Sequence, residues 1–309
     1  MAKFEEFYYE SSTGKNTIHA IKCVPEGEVR GVVQIAHGIA EHINRYEDFM
    51  RFLADNGLVC VGNDHLGHGK SIREDSEQGI FAEKDGWNFV LKDMLKLHDM
   101  THEEYPDVKY IMFGHSMGSF LTRNYIINYP DSYDLAILSG TGHQSPLLIF
   151  GGCTISDLLS SKNGVASDGQ KLEEIAFGSY CSKIENPRTP FDWLSVCEEN
   201  VDKYIADPLC GFVAKTGLYR DMMHGIKFIT KKKNIAKMNP DKPIYFMSGD
   251  ADPVGDYGEG VKKAYKAFCN AGLKDVMIRL YPGGRHEMLN ETNKEQVYQD
   301  ILNWINSKL

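Results

Sequence analysis

A chain of 309 residues, 42% hydrophobic and 25% charged, can bury one large core with an insert and has the composition of a soluble globular protein. Its 43 acidic against 34 basic side chains give a net charge of −9, which repels phosphate backbones and argues against nucleic acid as a partner. No stretch of ~18 apolar residues is present, so no membrane span is predicted, and the opening Met1-Ala2-Lys3-Phe4 carries no apolar segment with a cleavage site, so no signal peptide is read. The seven cysteines, an odd count without any Cys-x-x-Cys pair, read as free thiols of a reducing compartment, and the cytoplasm is the expected location.

Apolar and polar residues alternate from Phe7 to Glu10 and from Thr17 to Val24 around Ser-Ser-Thr-Gly, which predicts an antiparallel hairpin. From Gly31 strands and helices then alternate. Gly31 to Ala36 is a short apolar run ended by His37-Gly38. Tyr46 to Asn56 has helical spacing at Phe49, Met50, Phe52 and Leu53 and stops at Gly57. Leu58 to Val61 is a strand, Trp87 to Tyr105 a long helix closed by Pro106, and Tyr110 to Phe113 a strand ending at Gly114. Phe120 to Tyr129 reads as helix and Leu135 to Leu138 as strand. Residues 143–238 then carry helical patches and no clear strand. Ile244 to Met247, a helix at Val261 to Asn270, Val276 to Tyr281 and a last helix from Lys294 complete the order.

Strands that are apolar throughout and alternate with helices imply a mostly parallel central sheet with helices on both faces, an α/β fold. Such sheets bind ligands at the carboxyl ends of their strands. The division expected is a core of residues 1–142 and 239–309 with a helical cap, 143–238, inserted after the sixth strand and lying over that edge.

Gly114-His115-Ser116-Met117-Gly118 matches Gly-x-Ser-x-Gly between an apolar strand and a helix, the setting in which a serine is presented on a tight strained turn. Gly114 and Gly118 keep Cβ atoms away from the neighbouring strand and helix. A serine hydroxyl is a weak nucleophile until a base takes its proton. The partners expected in chain order are an acid and then a histidine. After the strand Ile244 to Met247 come Asp250, Asp252 and Asp256, and after Val276 to Tyr281 comes His286. Spacing alone does not choose among the three aspartates. The backbone N–H of Met117 and that of Ile39, in the loop His37-Gly38-Ile39-Ala40, are the candidate oxyanion donors. His37 and His115 flank the site and are expected to shape loops by hydrogen bonding.

These motifs resemble the monoacylglycerol lipase and lysophospholipase-like branch of the α/β-hydrolases, also described as serine aminopeptidase-like. The resemblance is carried by Ala36 to His42 with Arg45-Tyr46, by Asp64 to Ser71, by the elbow at Ser116, by Ser248 to Asp252 and by His286-Glu287. It spans residues 25–140 and 240–309 and stops short of the cap. It implies the α/β-hydrolase fold, a triad of Ser116, Asp252 and His286 with the acid on Asp252, and hydrolysis of lipophilic monoesters of the monoacylglycerol or lysophospholipid kind. Ser119 stands where the branch usually has glycine, and His65-Leu66 where arginine is more frequent. No cofactor is needed, since nucleophile, base and oxyanion donors all come from the chain.

No metal is expected. His65 and His68 have glycines and a lysine as neighbours, which are not ligands, and His98 and His102, four apart on a helix at a spacing that can bind zinc, have no nearby cysteine, while Glu103 and Glu104 read as a wet helix face. The segment Pro146 to Gly152, with four consecutive apolar residues, is open to three readings: packing of cap on body, a wall for an acyl chain, or a lip giving peripheral membrane contact. Competing functions are a short-chain carboxylesterase, an aminopeptidase using cap carboxylates such as Glu173-Glu174 or Glu198-Glu199 to bind an ammonium, and a non-catalytic ligand receptor on the same fold.

Overall fold

The computed structural model describes residues 2–309. Eight strands form one sheet: β1 Lys3–Glu10, β2 Thr17–Val24, β3 Gly31–Ala36, β4 Leu58–Asn63, β5 Lys109–His115, β6 Leu135–Ser139, β7 Ile244–Gly249 and β8 Val276–Tyr281. Their order is β1-β2-β4-β3-β5-β6-β7-β8. The β1–β2 hairpin and the β2–β4 pair are antiparallel, and every pair from β4 to β8 is parallel. This is the mostly parallel sheet that the strand and helix alternation implies, in the arrangement that the resemblance to the α/β-hydrolases leads one to expect.

Side chains alternate across the pleat, and both sets are buried. Val32 and Phe246 point into one core with Trp87, Leu121 and Phe268. Val33 and Met247 point into the other with Phe49, Met50 and Ile301. Helices α1 Glu47–Asp55 and α10 Lys294–Asn306 cover the second face. Helices α2 Gly86–Glu104, α3 Met117–Asn128 and α9 Glu259–Asn270 cover the first. Two-sided burial is why these strands read as unbroken apolar runs.

Five helices lie between β6 and β7: α4 Pro146–Asn163, α5 Gln170–Phe177, α6 Glu198–Ala206, α7 Thr216–Ile229 and the short α8 Lys232–Ile235. Residues Met117 to Ile127 of α3 are buried on every side, since α7 covers the flank the sheet leaves open. Asn124 Nδ2 donates to the Gly225 carbonyl at 3.2 Å, and a Cβ on Gly225 would strike the Trp87 indole. The α3 helix begins three residues earlier than the sequence predicts. Gly118 and Ser119 are poor helix formers, and here the turn geometry at Ser116 sets the start.

Of the run Leu147-Leu148-Ile149-Phe150, only Ile149 packs inward. Leu147, Leu148 and Phe150 are 78%, 63% and 66% exposed, as is Leu158 further along the same helix at 64%. Packing of cap on body therefore does not account for this run.

Candidate active site

Ser116 sits between β5 and α3 at φ 54° and ψ −122°, a conformation that non-glycine residues adopt only under strain. Its N–H donates to the Ser139 carbonyl at 3.0 Å, and its carbonyl accepts from the Ser119 N–H and hydroxyl. The turn is closed tightly against its surroundings. A Cβ on Gly118 would run into the carbonyl oxygens of Ala36 and His37, and one on Gly114 would meet Thr122 Oγ1 and the Gly118 carbonyl. The site lies where the strand order reverses between β3 and β5, the crevice in which open α/β sheets bind ligands.

Asp252 and His286 meet beside it. His286 Nδ1 stands 3.0 Å from Asp252 Oδ2, and both side chains are almost wholly buried. The carboxylate leaves Nδ1–H as the donor and Nε2 as the ring's basic nitrogen. Asp252 also accepts from Ser248 Oγ at 3.1 Å and the Val254 N–H at 2.9 Å. The neighbouring aspartates do other work. Asp250 accepts from the Gly283 N–H, and exposed Asp256 faces Lys263 at 3.6 Å. Burial lowers the His286 pKa, but the Asp252 charge and hydrogen bond outweigh it and leave the ring above the ordinary value of 6.5. The loops bearing acid and histidine are in backbone contact, with the Ala251 N–H donating to the Gly284 carbonyl at 3.0 Å.

The loop after β3 faces Ser116. A Cβ on Gly38 would stand 3.1 Å from Ser116 Cβ. Among the described residues the N–H groups of Ile39 and Met117 donate to no protein acceptor. His37 donates from Nδ1 to the Gly38 carbonyl at 2.7 Å and accepts on Nε2 from the His65 N–H at 2.9 Å. Burial lowers the His37 pKa from its ordinary value and holds that of His68 down to about 3. His115, its ring 4.6 Å from that of His286, is held at about 4 by burial and by the His286 charge, and its Nδ1 lies 3.3 Å from Ser139 Oγ. Asp64 braces the same loop by accepting from the Ile43 and Lys70 N–H groups.

Beneath these loops lies a buried charge network whose role motif reading did not reach. Arg45 donates to Glu41 at 2.7 Å and to both Glu287 oxygens at 2.6 and 2.7 Å. Glu41 accepts from the Gly38 N–H and the Tyr46 hydroxyl, while Glu287 accepts from Asn200 of α6 at 2.7 Å. The 43–46 turn, the histidine loop and α6 are thus tied to one guanidinium. The signal was present in Glu41, Arg45 and Glu287, all inside quoted motifs, but nothing in their spacing reveals that they converge.

The segment between β6 and β7 closes over the site. Tyr204 hydroxyl and the Gly211 N–H both donate to the Ala40 carbonyl at 3.0 Å, and Arg285 Nη1 donates to the carbonyls of Asp192 and Ser195. The Trp193 ring is 5.1 Å from that of His286. A cavity of about 450 Å³ opens at Ser116 and His286, walled by Phe177, Phe191, Trp193, Phe212 and Tyr219, with Glu41, Gln170, Glu173, Glu174 and Glu287 among its polar lining. Glu198 and Glu199 do not line it and pair instead with Arg188 and Lys203. Among the described residues His42, Asp207 and Cys210 could bring three metal-ligating atoms within 4.8 Å of one another. His42 Nε2 and Asp207 Oδ2 already satisfy each other at 2.8 Å, linking the loop after β3 to the segment after α6.

Residues 27–293 match the family described as serine aminopeptidase, S33. The chain is 26% identical to a monoacylglycerol lipase of Mycolicibacterium smegmatis over 92% of this chain and 91% of that one, and 25% identical to the human monoglyceride lipase over 92% and 85%. Its structure resembles that of a thermostable carboxyl esterase from Bacillus coagulans, solved with glycerol, at TM-score 0.92 and 32% identity over 99% of both chains. With a serine on a strained elbow, a histidine held by a buried aspartate and an apolar cavity between them, the chain belongs to the serine aminopeptidase S33 family, as an α/β-hydrolase of the monoacylglycerol lipase type that hydrolyses carboxylic esters.

Proposed function

We propose that the substrates are lipophilic monoesters, of the monoacylglycerol or lysophospholipid type, and that Ser116, His286 and Asp252 are the triad. The observation that carries this reading is the aromatic cavity opening at Ser116 beside a histidine already bonded to a buried carboxylate. His286 Nε2 takes the Ser116 proton as Oγ attacks the ester carbonyl carbon, and the oxygen's new charge falls to the Ile39 and Met117 N–H groups. His286 then protonates the departing alcohol oxygen, and the acyl group stays on Ser116. Water, deprotonated by the same nitrogen, releases the fatty acid and restores the hydroxyl. In this reading residues 143–238 act as a cap whose aromatic side chains wrap the acyl chain.

The test is a rate series on glycerol monoesters from acetate to palmitate, with an aminoacyl arylamide alongside. kcat/KM is expected to rise toward medium or long chains. A preference for acetate or butyrate would replace this reading with a short-chain esterase. One observation favours a second reading: the Glu173 Oε2 atom in the cavity wall is buried with no partner among the described residues, a feature that suits an amino-acid ammonium. Cleavage of the arylamide alone would establish that reading.

The acid limb of the pH profile tests the roles of Asp252 and His286. Catalysis needs the neutral imidazole, and the Asp252 charge raises its pKa, so kcat/KM should fall as pH drops through a value above 6.5. In Asp252→Asn that limb should move to lower pH, with kcat down about 10⁴-fold. An unmoved limb would give the acid role to another group.

No helix among the described residues is long and apolar enough to cross a membrane. We propose that α4 instead rests on a lipid surface, supported by the exposed Leu147, Leu148, Phe150 and Leu158. Co-flotation with phosphatidylcholine vesicles should weaken at least about tenfold in Leu148→Ser/Phe150→Ser, since each side chain contributes about 1.5–3 kcal/mol when removed from water. Equal flotation of both proteins would refute the contact. The seven free thiols support a reducing, cytoplasmic setting for this chemistry.

A further inference from the structure

Arg123 lies on α3 behind the Ser116 elbow and is fully enclosed, with 0% exposure. Its guanidinium finds few partners. Nη1 donates to the Gly142 carbonyl at 2.8 Å and to Thr141 Oγ1 at 3.3 Å, and the Phe268 ring lies 5.7 Å away. Nε and Nη2 are buried with no partner among the described residues. Buried charges in folded proteins are paired, and buried donors are bonded. This arginine has no carboxylate beside it, and two of its three nitrogens lack an acceptor among the described residues. Burial alone acts on it and lowers its pKa to about 9, with no carboxylate to hold it up, so at neutral pH it is still a cation.

A second group without a partner lies close by. His143, on the loop from β6 to α4, is held at about 4 by burial and then by the charges of Arg123 and Lys263, and its Nδ1 is likewise buried without a partner. Lys263 stands on α9 with its side chain 58% exposed. Unpartnered nitrogens on Arg123 of α3 and on His143 of the β6–α4 loop thus lie near each other, with Lys263 of α9 beside them.

We infer that Arg123, with His143 at its outer edge, binds a small monovalent anion of the chloride type in this interior. One buried positive charge with two free donors suits a single weakly hydrated anion, and a guanidinium offers such donors in a fixed fork. The anion would steady the acid loop from behind. Gly142 packs so closely that a Cβ on it would stand 2.6 Å from the Val254 carbonyl oxygen, and the Val254 N–H holds Asp252. The inference concerns a site outside the ester-binding cavity and stands whatever the substrate is.

Thermal unfolding of the full chain in sodium gluconate, titrated with sodium bromide at constant ionic strength, tests it. A ligand that binds only the folded state raises Tm with saturation, here by about 2–4 °C. Arg123→Met should lose that response, and Arg123→Lys, which keeps the charge without the fork, should need at least about tenfold more bromide. A crystal grown in bromide should show an anomalous peak within hydrogen-bond distance of Nε and Nη2. Identical Tm in bromide and gluconate across the titration would overturn the inference and leave ordered water as the guanidinium's partner. A bromide response unchanged in Arg123→Lys would place the anion elsewhere and overturn it equally.

Discussion

Replacing Ser116 by alanine should lower kcat on a preferred monoester about a million-fold, the loss seen when the nucleophile of a serine triad is removed. Labelling by a fluorophosphonate should disappear with it, because only an activated serine attacks that phosphorus. The fold should be untouched. The strained φ of 54° at position 116 is fixed by the turn, by Gly118 lying against Ala36 and by the bond from the Ser116 N–H to Ser139, none of which uses the hydroxyl. Tm is therefore expected to stay within about 2 °C, consistent with a near-neutral change of about 0.5 kcal/mol. His286→Ala should abolish labelling too, since the hydroxyl then has no base. Substantial ester hydrolysis by Ser116→Ala would remove the acyl-enzyme from the mechanism. Failure of the unaltered protein to label would favour the receptor reading.

The sheet was legible because its strands are buried on both faces. Val32-Val33 and Phe246-Met247 feed opposite cores, so neither member of either pair could be polar. The elbow was legible for a different reason: Gly114 and Gly118 sit where carbonyl and hydroxyl oxygens leave no room for a Cβ, and such constraints write themselves into the sequence as fixed residues. The proposed acid was not legible from spacing, since Asp250, Asp252 and Asp256 all follow the same strand. What separates them is burial and direction, which only the folded loop supplies: Asp252 turns inward to His286, while Asp250 caps Gly283. The cavity walls were hidden because Phe177, Trp193 and Tyr219 come from three separate parts of the inserted segment, each of which would be equally at home in a small core.

The Arg45 network makes a second large prediction. Arg45 is 10% exposed at its side chain and holds two carboxylates that are 5% and 4% exposed. Arg45→Met leaves Glu41 and Glu287 buried, close and of like charge. Breaking a buried pair in this way costs about 3–5 kcal/mol, which should lower Tm by roughly 6–15 °C. Arg45→Lys should recover only part of this, because one ammonium cannot reproduce the forked bonds to Glu287. The loss should depend on pH with a definite sign. Burial raises the Glu41 pKa, but Arg45, with His115, His37 and the Gly38 N–H, together hold Glu41 at about 2, below the ordinary 4.5, so this stabilisation is present above 4.5 and fades as pH falls toward 2. Without Arg45 the effect of burial is less opposed, and the two carboxyls take up protons at higher pH than in the unaltered chain. The stability gap between Arg45→Met and the unaltered chain should therefore be widest near neutral pH and close as the solution is acidified. Catalysis should suffer through the same contacts. Glu41 accepts from the Gly38 N–H, next to the Ile39 donor, so loosening it should lower kcat by about 10–100-fold with KM little changed, part of the loss seen when an oxyanion donor is removed outright. A stability gap that stays constant from pH 7 to pH 4 would show that Arg45 acts by packing against Tyr204 and not by neutralising the two carboxylates.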